Sequence, residues 1–241
     1  MDVVVKMTCN ASYTYKPRKK RTKLCDRVLP SYTKGEEIFN MVTHIVGGGI
    51  GVIALVLCVL KAIFVGNTLS VICSAIFGIS MITLYTMSSI YHGLKVGTGK
   101  KVFQIMDHCT IYFLIAGTYT PMLICALAKS HPIAAYLTLA VVWGLTALSV
   151  TLTAIDIEKY KVFSMISYIA MGWAIIFSIK WMFDAIGPVG FALLLGGGLL
   201  YTGGTLFFRA GRTKKYFHSI FHIFVLLGSI AHFLCVFFFA I

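Results

Sequence analysis

Long runs of apolar residues, separated by short polar breaks, dominate the sequence. Each run extends over about 20 residues or more, which is the length that a helix needs to cross a hydrocarbon core of roughly 30 Å. Seven such runs cover residues 38–60, 68–94, 102–128, 132–154, 162–183, 189–208 and 216–241. The pattern predicts an all-α membrane protein, built as a seven-transmembrane helical bundle.

The composition supports this class and excludes an ordinary soluble domain. Hydrophobic residues make up 59% of the chain and charged residues only 12%, whereas a soluble surface needs about a quarter charged residues. Because the breaks between the runs are short, we expect one membrane domain over residues 36–241. A basic N-terminal arm over residues 1–35 precedes it.

The basic residues predict the orientation of the bundle. The formal net charge is +13, but Lys and Arg fall at the ends of the apolar runs, so we predict no nucleic-acid partner. The arm and alternate breaks hold 18 of the 21 Lys and Arg residues, which places the N-terminus in the cytoplasm and the C-terminus outside. We expect a multi-pass protein of the plasma (inner) membrane whose arm binds anionic lipid headgroups.

Rare polar side chains gather at the predicted cytoplasmic ends of four helices. Five of the seven histidines lie within a turn or two of this face, and only His131 and His232 lie elsewhere. Polar residues inside a membrane are costly and usually functional. The group comprises Glu37, Asn40 and His44 on helix 1, Ser88 and His92 on helix 2, Asp107 and His108 on helix 3, and His218 and His222 on helix 7.

Three of these histidines form a candidate zinc site. His218 and His222 are one helical turn apart and share a face, and His92 is predicted at the same depth. Three imidazoles leave a fourth position open, as in catalytic Zn²⁺ sites. Ser88, one turn from His92, and Asp107 are the candidate catalytic residues, with the Asp107 carboxylate positioning or deprotonating the attacking water.

Each of these residues also has a structural interpretation. Paired histidines hydrogen-bond between helices, Asp107 could pair with a loop lysine such as Lys101, and Ser88 could bond back to its own helix. One face of helix 1 carries a polar stripe with two possible interpretations, formed by Glu37, Asn40 and His44. The stripe is either a second shell or the substrate entrance, or else an interhelical hydrogen-bond network.

Two histidines are left out of the ligand set for geometric reasons. His108 lies about 100° around the helix from Asp107, so the two side chains need not face one site. His232 lies ten residues beyond His222, or roughly 15 Å along the helix, and cannot reach the same metal. We expect His232 to satisfy a polar group deep in the bundle, with a proton or lipid pathway as the alternative.

Five sequence motifs resemble, in order, those of the hemolysin III family of bacterial type. They are EEIFNMVTHIVGG, SSIYHGL, MDHCTIYFLIAGTYTP, GGGLLYTGGTLFF and FHSIFHIFVLLGSIAHF. That family belongs with the progestin and adipoQ receptors, and more distantly with the alkaline ceramidases. The resemblance implies that His92, His218 and His222 bind zinc, and that Ser88 and Asp107 flank it.

The predicted function follows from this site and this resemblance. We expect an intramembrane zinc-dependent hydrolase that cleaves an amide or ester of a membrane lipid, similar to a ceramidase, and serves lipid homeostasis. One alternative is a pore-forming or cytolytic membrane protein in which zinc is structural. The other is a receptor-like lipid sensor without catalysis.

Overall fold

The computed structural model describes residues 21–211 and 213–241, and helices account for most of them. No β-strand occurs within these ranges, which confirms the all-α class. The α-helices are α1 (Lys34–Val65), α2 (Thr68–Gly93), α3 (Thr98–Pro121), α4 (Pro132–Ile155), α5 (Lys161–Gly172), α6 (Ile179–Ala210) and α7 (Phe217–Cys235).

Four short helical segments of other types extend or connect these helices. A π-helix (Met122–Ala126) and a 3₁₀ turn (Leu127–Lys129) follow α3, a 3₁₀ turn (Ala174–Ser178) joins α5 to α6, and a π-helix (Val236–Ala240) follows α7. Pro121 explains the first change, because it has no N–H to donate to the preceding turn.

Six helical runs among the described residues are long and apolar enough to cross a membrane. This confirms a multi-pass membrane protein. The runs are Lys34–Val65, Thr68–Gly93, Thr98–Lys129, Pro132–Ile155, Lys161–Ala210 and Phe217–Ala240.

The run Lys161–Ala210 does not continue as one straight helix. Its 50 residues would reach ~75 Å if straight. Gly187, followed by Pro188, interrupts it with φ 70° and ψ 176°, a conformation outside the helical region. The Trp173 indole donates to Thr202 Oγ1 at 3.0 Å, although 29 residues of straight helix would separate the two by ~43 Å. The chain therefore folds back on itself within this run.

The start of α1 and its turn to α2 are fixed by local capping. Thr33 Oγ1 accepts from the Glu36 N–H while the Glu36 carboxylate accepts from the Thr33 N–H, which is a capping box. Gly66 ends α1 in the left-handed region, and Asn67 then caps α2. Because this turn is so short, α1 and α2 pack side by side along their lengths.

Close approach of α1 to α2 positions the cluster of polar residues. A Cβ atom at Gly47 would lie 2.5 Å from the Tyr85 ring, so the small residue allows α2 to approach. His44, one turn before Gly47, contacts the edge of the same buried ring with centroids 5.0 Å apart. The polar ends of the two helices are thereby brought together.

Residues 21–33 lie across the end of the bundle at which α1, α3 and α7 begin, and we call this end the site end. Thr22 N donates to Asp156 Oδ2 at 2.7 Å, and Arg21 Nε donates to the Ile155 carbonyl at 2.8 Å. Lys101 Nζ donates to the Cys25 carbonyl at 2.7 Å. The segment is therefore held by α3 and by the end of α4, while residues 1–20 of the predicted arm lie outside the described residues.

Candidate metal centre

Three buried histidines converge at the site end of the bundle. One nitrogen from each of His92, His218 and His222 lies within 4.8 Å of the others, and none of the three residues is more than 5% exposed. The Nε2 atoms of His218 and His222 are 3.1 Å apart, where the ligand nitrogens of a tetrahedral ion lie roughly 3.3 Å apart. The structure thus brings together the three histidines that the sequence singled out.

Contacts between α1 and α7 set the position of His218 and His222. Glu36 Oε1 accepts from the Tyr216 backbone N–H at 2.6 Å, and Tyr216 adopts a left-handed conformation with φ 61° directly before α7. One turn further along, Ser219 Oγ donates to Asn40 Oδ1 at 2.7 Å. These two contacts fix the start of α7 against α1.

A carboxylate on α1 orients His92. Glu37 Oε2 lies 2.7 Å from His92 Nδ1, and because a carboxylate only accepts, the imidazole proton is on Nδ1. His92 Nε2 then carries a lone pair, as a metal ligand requires. The other oxygen of Glu37 pairs with the buried Lys100 ammonium at 2.8 Å.

The unpartnered atoms of the cluster fit a bound cation. His92 Nε2 is buried and has no hydrogen-bond partner among the residues that the structure describes, whereas most buried polar atoms in proteins are bonded. Three neutral imidazoles are a donor set that Zn²⁺ accepts readily. A metal ion held by all three would satisfy this nitrogen.

The helix 1 stripe has three different roles in the structure. Glu37 contacts a candidate ligand directly, as the second-shell interpretation expected, whereas Asn40 links α1 to α7 through Ser219, as the network interpretation expected. His44 stacks on the His222 ring with centroids 3.8 Å apart, and neither of its nitrogens has a partner among the described residues. The His44 ring therefore packs face to face against the ring of a candidate ligand, His222.

Ser88 and Asp107 lie on the wall of the same cavity as His218 and His222. Ser88 Oγ is buried and makes no hydrogen bond within the described part of the chain, so the structure does not contain the alternative bond back to its own helix. The loop lysine Lys101 contacts the Cys25 carbonyl, which removes it as a fixed partner of Asp107. Both candidate catalytic side chains thus face the cavity, and their chemical roles remain predictions.

Two cavities meet at the site. The first extends through the bundle and is lined mainly by apolar side chains, and the second lies beneath residues 28–32 and has a more polar wall. Residues from α3, α5, α6 and α7 border both cavities: Asp107, His108, Met165, Tyr168, Phe208 and His218. The candidate metal centre therefore stands where an apolar chamber opens towards a polar one.

Two residues that complete the site, Tyr32 and Lys100, were not predicted from the sequence, and a third, His108, was named there but left out of the site. Tyr32 stacks on the His218 ring with centroids 4.9 Å apart and an angle of 20°, so residues 28–32 cover the centre. Lys100, counted only as a topology signal, pairs with Glu37. His108 also borders the cavity, with Nδ1 donating to the Gln104 carbonyl at 2.8 Å and lying 3.8 Å from Asp107 Oδ2.

No local signal in the sequence could have identified Tyr32 or Lys100. Tyr32 precedes α1 in a segment without periodicity, and Lys100 sits among other basic residues at the start of α3. Only the tertiary approach of α1 to α2 and α3 brings them to the histidines. His108 could have been kept in the candidate site by allowing both residues of the polar pair 107–108 to face it.

The fold and the buried cluster define a multi-pass helical membrane protein with a candidate metal centre. Sequence comparison identifies the particular family. The profile of the family described as "Haemolysin-III related" matches residues 32–233. The chain belongs to this family, and the resemblance stated from its motifs is confirmed.

Relatives from bacteria and animals agree with this assignment. The chain is 35% identical to "Hemolysin-3 homolog" of Bacillus subtilis (strain 168), over 87% of the chain and 97% of the relative. It is 36% identical to "Hemolysin-3" of Bacillus cereus, over 86% and 92%. "Monocyte to macrophage differentiation factor" of Homo sapiens is 28% identical over 66% of each chain, which supports the relation to the progestin and adipoQ receptors.

Proposed function

We propose that the protein is an intramembrane metal-dependent hydrolase that cleaves an amide or ester bond of a membrane lipid. The observation that carries the proposal is the buried cluster of His92, His218 and His222, of which His218 and His222 line an apolar cavity. These three imidazoles would hold Zn²⁺. A bound Zn²⁺ would assist hydrolysis in two ways: it would polarise a carbonyl oxygen, and it would lower the pKa of a water molecule towards 7.

The side chains around the cluster have complementary tasks. Asp107, on the shared wall of both cavities, accepts the proton of the attacking water and later returns it to the leaving group. The Ser88 hydroxyl has no partner in the described residues, and donates to the oxygen on which negative charge develops. Glu37 keeps the His92 proton on Nδ1 and holds the ring in place.

The cavities favour a lipid over a soluble substrate. Apolar side chains, among them Leu114, Ile115, Met122, Ile175 and Phe191, line the chamber inside the bundle. A hydrocarbon chain placed there removes apolar surface from water, and the scissile bond then lies where the chamber meets the polar cavity. A membrane lipid is therefore the proposed substrate, with its polar end towards the segment 28–32.

Seven membrane passes are proposed, because the run Lys161–Ala210 folds back at Gly187. The positive-inside bias supports a cytoplasmic N-terminus and an outside C-terminus in the plasma (inner) membrane. In this orientation the site end faces the cytoplasm. Residues 36–241 form the membrane domain, and the basic arm of residues 1–35 contacts anionic lipid headgroups.

The test is fatty acid release by purified, zinc-loaded protein. We expect release from ceramide-like or phospholipid substrates in mixed micelles, and a decrease of about 10²–10⁴-fold in Asp107→Asn, which removes the proton acceptor. Asp184→Asn, at an exposed position of α6, is the matched control and should retain full activity. A zinc-loaded protein that releases nothing from this panel would contradict the proposal.

Membrane lysis is the second candidate, and the observation that favours it is the name "Hemolysin-3" of a Bacillus relative. In that case the metal would be structural. Dye leakage from liposomes separates the two functions: leakage that persists in Asp107→Asn supports lysis, whereas leakage that falls together with fatty acid release assigns it to hydrolysis.

A further inference from the structure

His232 lies in α7, far from the metal centre, on the wall of the apolar cavity. Ten residues separate it from His222, which corresponds to ~15 Å along the helix. It is 91% buried. One imidazole nitrogen, Nδ1, has no hydrogen-bond partner among the described residues. A buried polar atom without a partner is rare and costly, and it calls for an explanation.

The other nitrogen determines what Nδ1 can do. His232 Nε2 lies 3.1 Å from the Leu194 carbonyl oxygen. A carbonyl oxygen accepts and never donates, so the imidazole proton is on Nε2. Nδ1 of the neutral ring is therefore an acceptor with a free lone pair, and its matching group is an O–H or N–H donor.

The direction of Nδ1 follows from the packing of the ring against α6. A Cβ atom at Gly197 would lie 2.3 Å from His232 Cδ2 and 2.4 Å from Nε2, so this edge of the imidazole is pressed onto the α6 backbone. Nδ1 is on the opposite edge and faces away from Gly197. His232 borders the cavity, but Nδ1 is itself buried, so a ligand inside the cavity reaches this edge only when the side chains that cover it shift.

His232 Nδ1 is also distinct from the other unpartnered atoms on the cavity wall. Within the described residues, the remaining ones belong to His44, Ser88 and His222, all at the metal centre. The hydroxyls near His232 already have partners: Tyr201 and Tyr85 both bond to Ser229 Oγ, at 2.8 and 2.7 Å. A lone water at Nδ1 would therefore find few of the two to four polar partners that buried waters have.

We propose that His232 is a specificity-determining residue that binds a hydroxyl group carried partway along the hydrocarbon chain of the lipid. One end of the cavity holds the metal centre and His232 lies ~15 Å further along. A chain that fills the cavity with its polar end at the histidine cluster places a mid-chain hydroxyl at Nδ1. The ligand class is thus a lipid with a hydroxylated acyl chain, and this choice of ligand rests on the proposed function.

Binding of uncleaved fatty acids tests the proposal without requiring hydrolysis. Stearic acid and a series of monohydroxystearic acids, with the hydroxyl stepped along the chain, compete with a fluorescent fatty acid for the purified protein. We expect one isomer, with its hydroxyl ~15 Å from the carboxyl group, to bind about 2- to 10-fold more tightly than stearic acid, the gain of one buried hydrogen bond. Equal binding of all isomers by the unmodified protein would overturn the proposal.

Three variants locate the preference at His232. His232→Phe fills a similar volume without an acceptor and should bind the best isomer no more tightly than stearic acid. His232→Gln keeps a donor for the Leu194 carbonyl and an acceptor for the hydroxyl, so it should retain the preference. Thr205→Val removes a cavity hydroxyl that already bonds to the Thr202 carbonyl, and should also retain it.

The outcomes separate this inference from the proposed function. A preference that survives in His232→Phe contradicts the role of His232, whatever the protein hydrolyses. A protein that hydrolyses plain-chain lipids but shows no preference among isomers keeps the proposed function and loses this inference. A protein that shows the preference but hydrolyses no lipid keeps this inference and loses the proposed function.

Discussion

Glu37 Oε2 and His92 Nδ1 are joined by a hydrogen bond of 2.7 Å between α1 and α2. This contact sets the tautomer of His92 and leaves the Nε2 lone pair free for a metal ion. Because Lys100 holds the second carboxylate oxygen, the Glu37 side chain has little freedom to turn away. The orientation of the candidate ligand therefore depends on a residue that binds no metal itself.

Glu37→Gln should weaken metal binding. The neutral amide is a poorer acceptor for the His92 proton and leaves Lys100 without its counter-charge, so we expect the zinc affinity to fall by about 10- to 100-fold. Competition with a chelator of known affinity measures this. Glu158→Gln, which removes only the half-exposed pair with Lys161, should leave the affinity unchanged. Equal loss in both variants would rule out a specific role for Glu37.

Tyr32→Ala should speed the release of bound metal. The Tyr32 ring stacks on His218 and covers the centre from the polar cavity, and an aromatic contact of this kind contributes about 0.5–1.5 kcal/mol. We expect release to an excess of chelator to become about 2- to 10-fold faster. Tyr136→Ala, which removes an exposed tyrosine of α4, should release metal at the rate of the unmodified protein. An unchanged rate in Tyr32→Ala would show that the segment 28–32 does not cover the site.

Ser88→Ala should lower lipid hydrolysis without destabilising the protein. The Ser88 hydroxyl is buried without a partner in the described chain, so its removal leaves no donor or acceptor unpaired. If it donates to the developing negative charge, we expect hydrolysis to fall by about 10²–10³-fold. Ser89→Ala is the matched control, because Ser89 Oγ bonds to the Tyr85 carbonyl of its own helix. Similar activity in both variants would remove Ser88 from the catalytic residues.

Attachment of the N-terminal segment should weaken in acid. Burial favours the neutral form of Asp156, but hydrogen bonds from Thr22, Lys159 and Glu158 outweigh it and hold the pKa of Asp156 below its usual value of 3.8. A lowered pKa stabilises the folded state fully above the usual value, and this contribution is lost as the pH falls through the lowered one. We expect the segment to detach only below about pH 4.

A fluorescent label on Cys25 measures this attachment. Cys25 is exposed, whereas the other cysteines among the described residues are buried, and Cys9→Ser removes the cysteine outside them. The anisotropy of the label should drop on acidification below about pH 4 in the otherwise unmodified protein. In Asp156→Asn it should be low and independent of pH over this range. Identical titration curves for the two proteins would contradict the role of Asp156.

Much of the site could be predicted because the sequence of a membrane helix indicates how deep in the membrane each residue lies. The length of the apolar runs predicted the helices, and the Lys and Arg bias predicted which helix ends lie at the same membrane face. His92 and His218 were therefore predicted at the same depth before any packing was known. The contacts of Lys100 and Tyr32 could not be predicted in this way. They depend on how closely α1 approaches α2 and on the path of residues 21–33, which has no periodic pattern.

A helix boundary could also be predicted from the sequence, whereas the directions of side chains near a helix end could not. The polar break between residues 183 and 189 was visible in the sequence, and the structure has a non-helical residue there, Gly187. The orientations of Asp107 and His108 were not fixed by their spacing alone, since both border the same cavity. Side-chain direction near a helix end depends on neighbouring helices, here α5 and α6, which the residues of α3 do not specify.

Metal content is the most direct test of the central claim that three buried histidines hold a metal ion. Protein purified without chelators should contain about one zinc ion per chain, measured by elemental analysis. The double variant His218→Ala, His222→Ala should contain almost none, whereas His131→Ala, at the opposite end of the bundle, should contain as much as the unmodified protein. Full zinc content in the double variant would contradict the account.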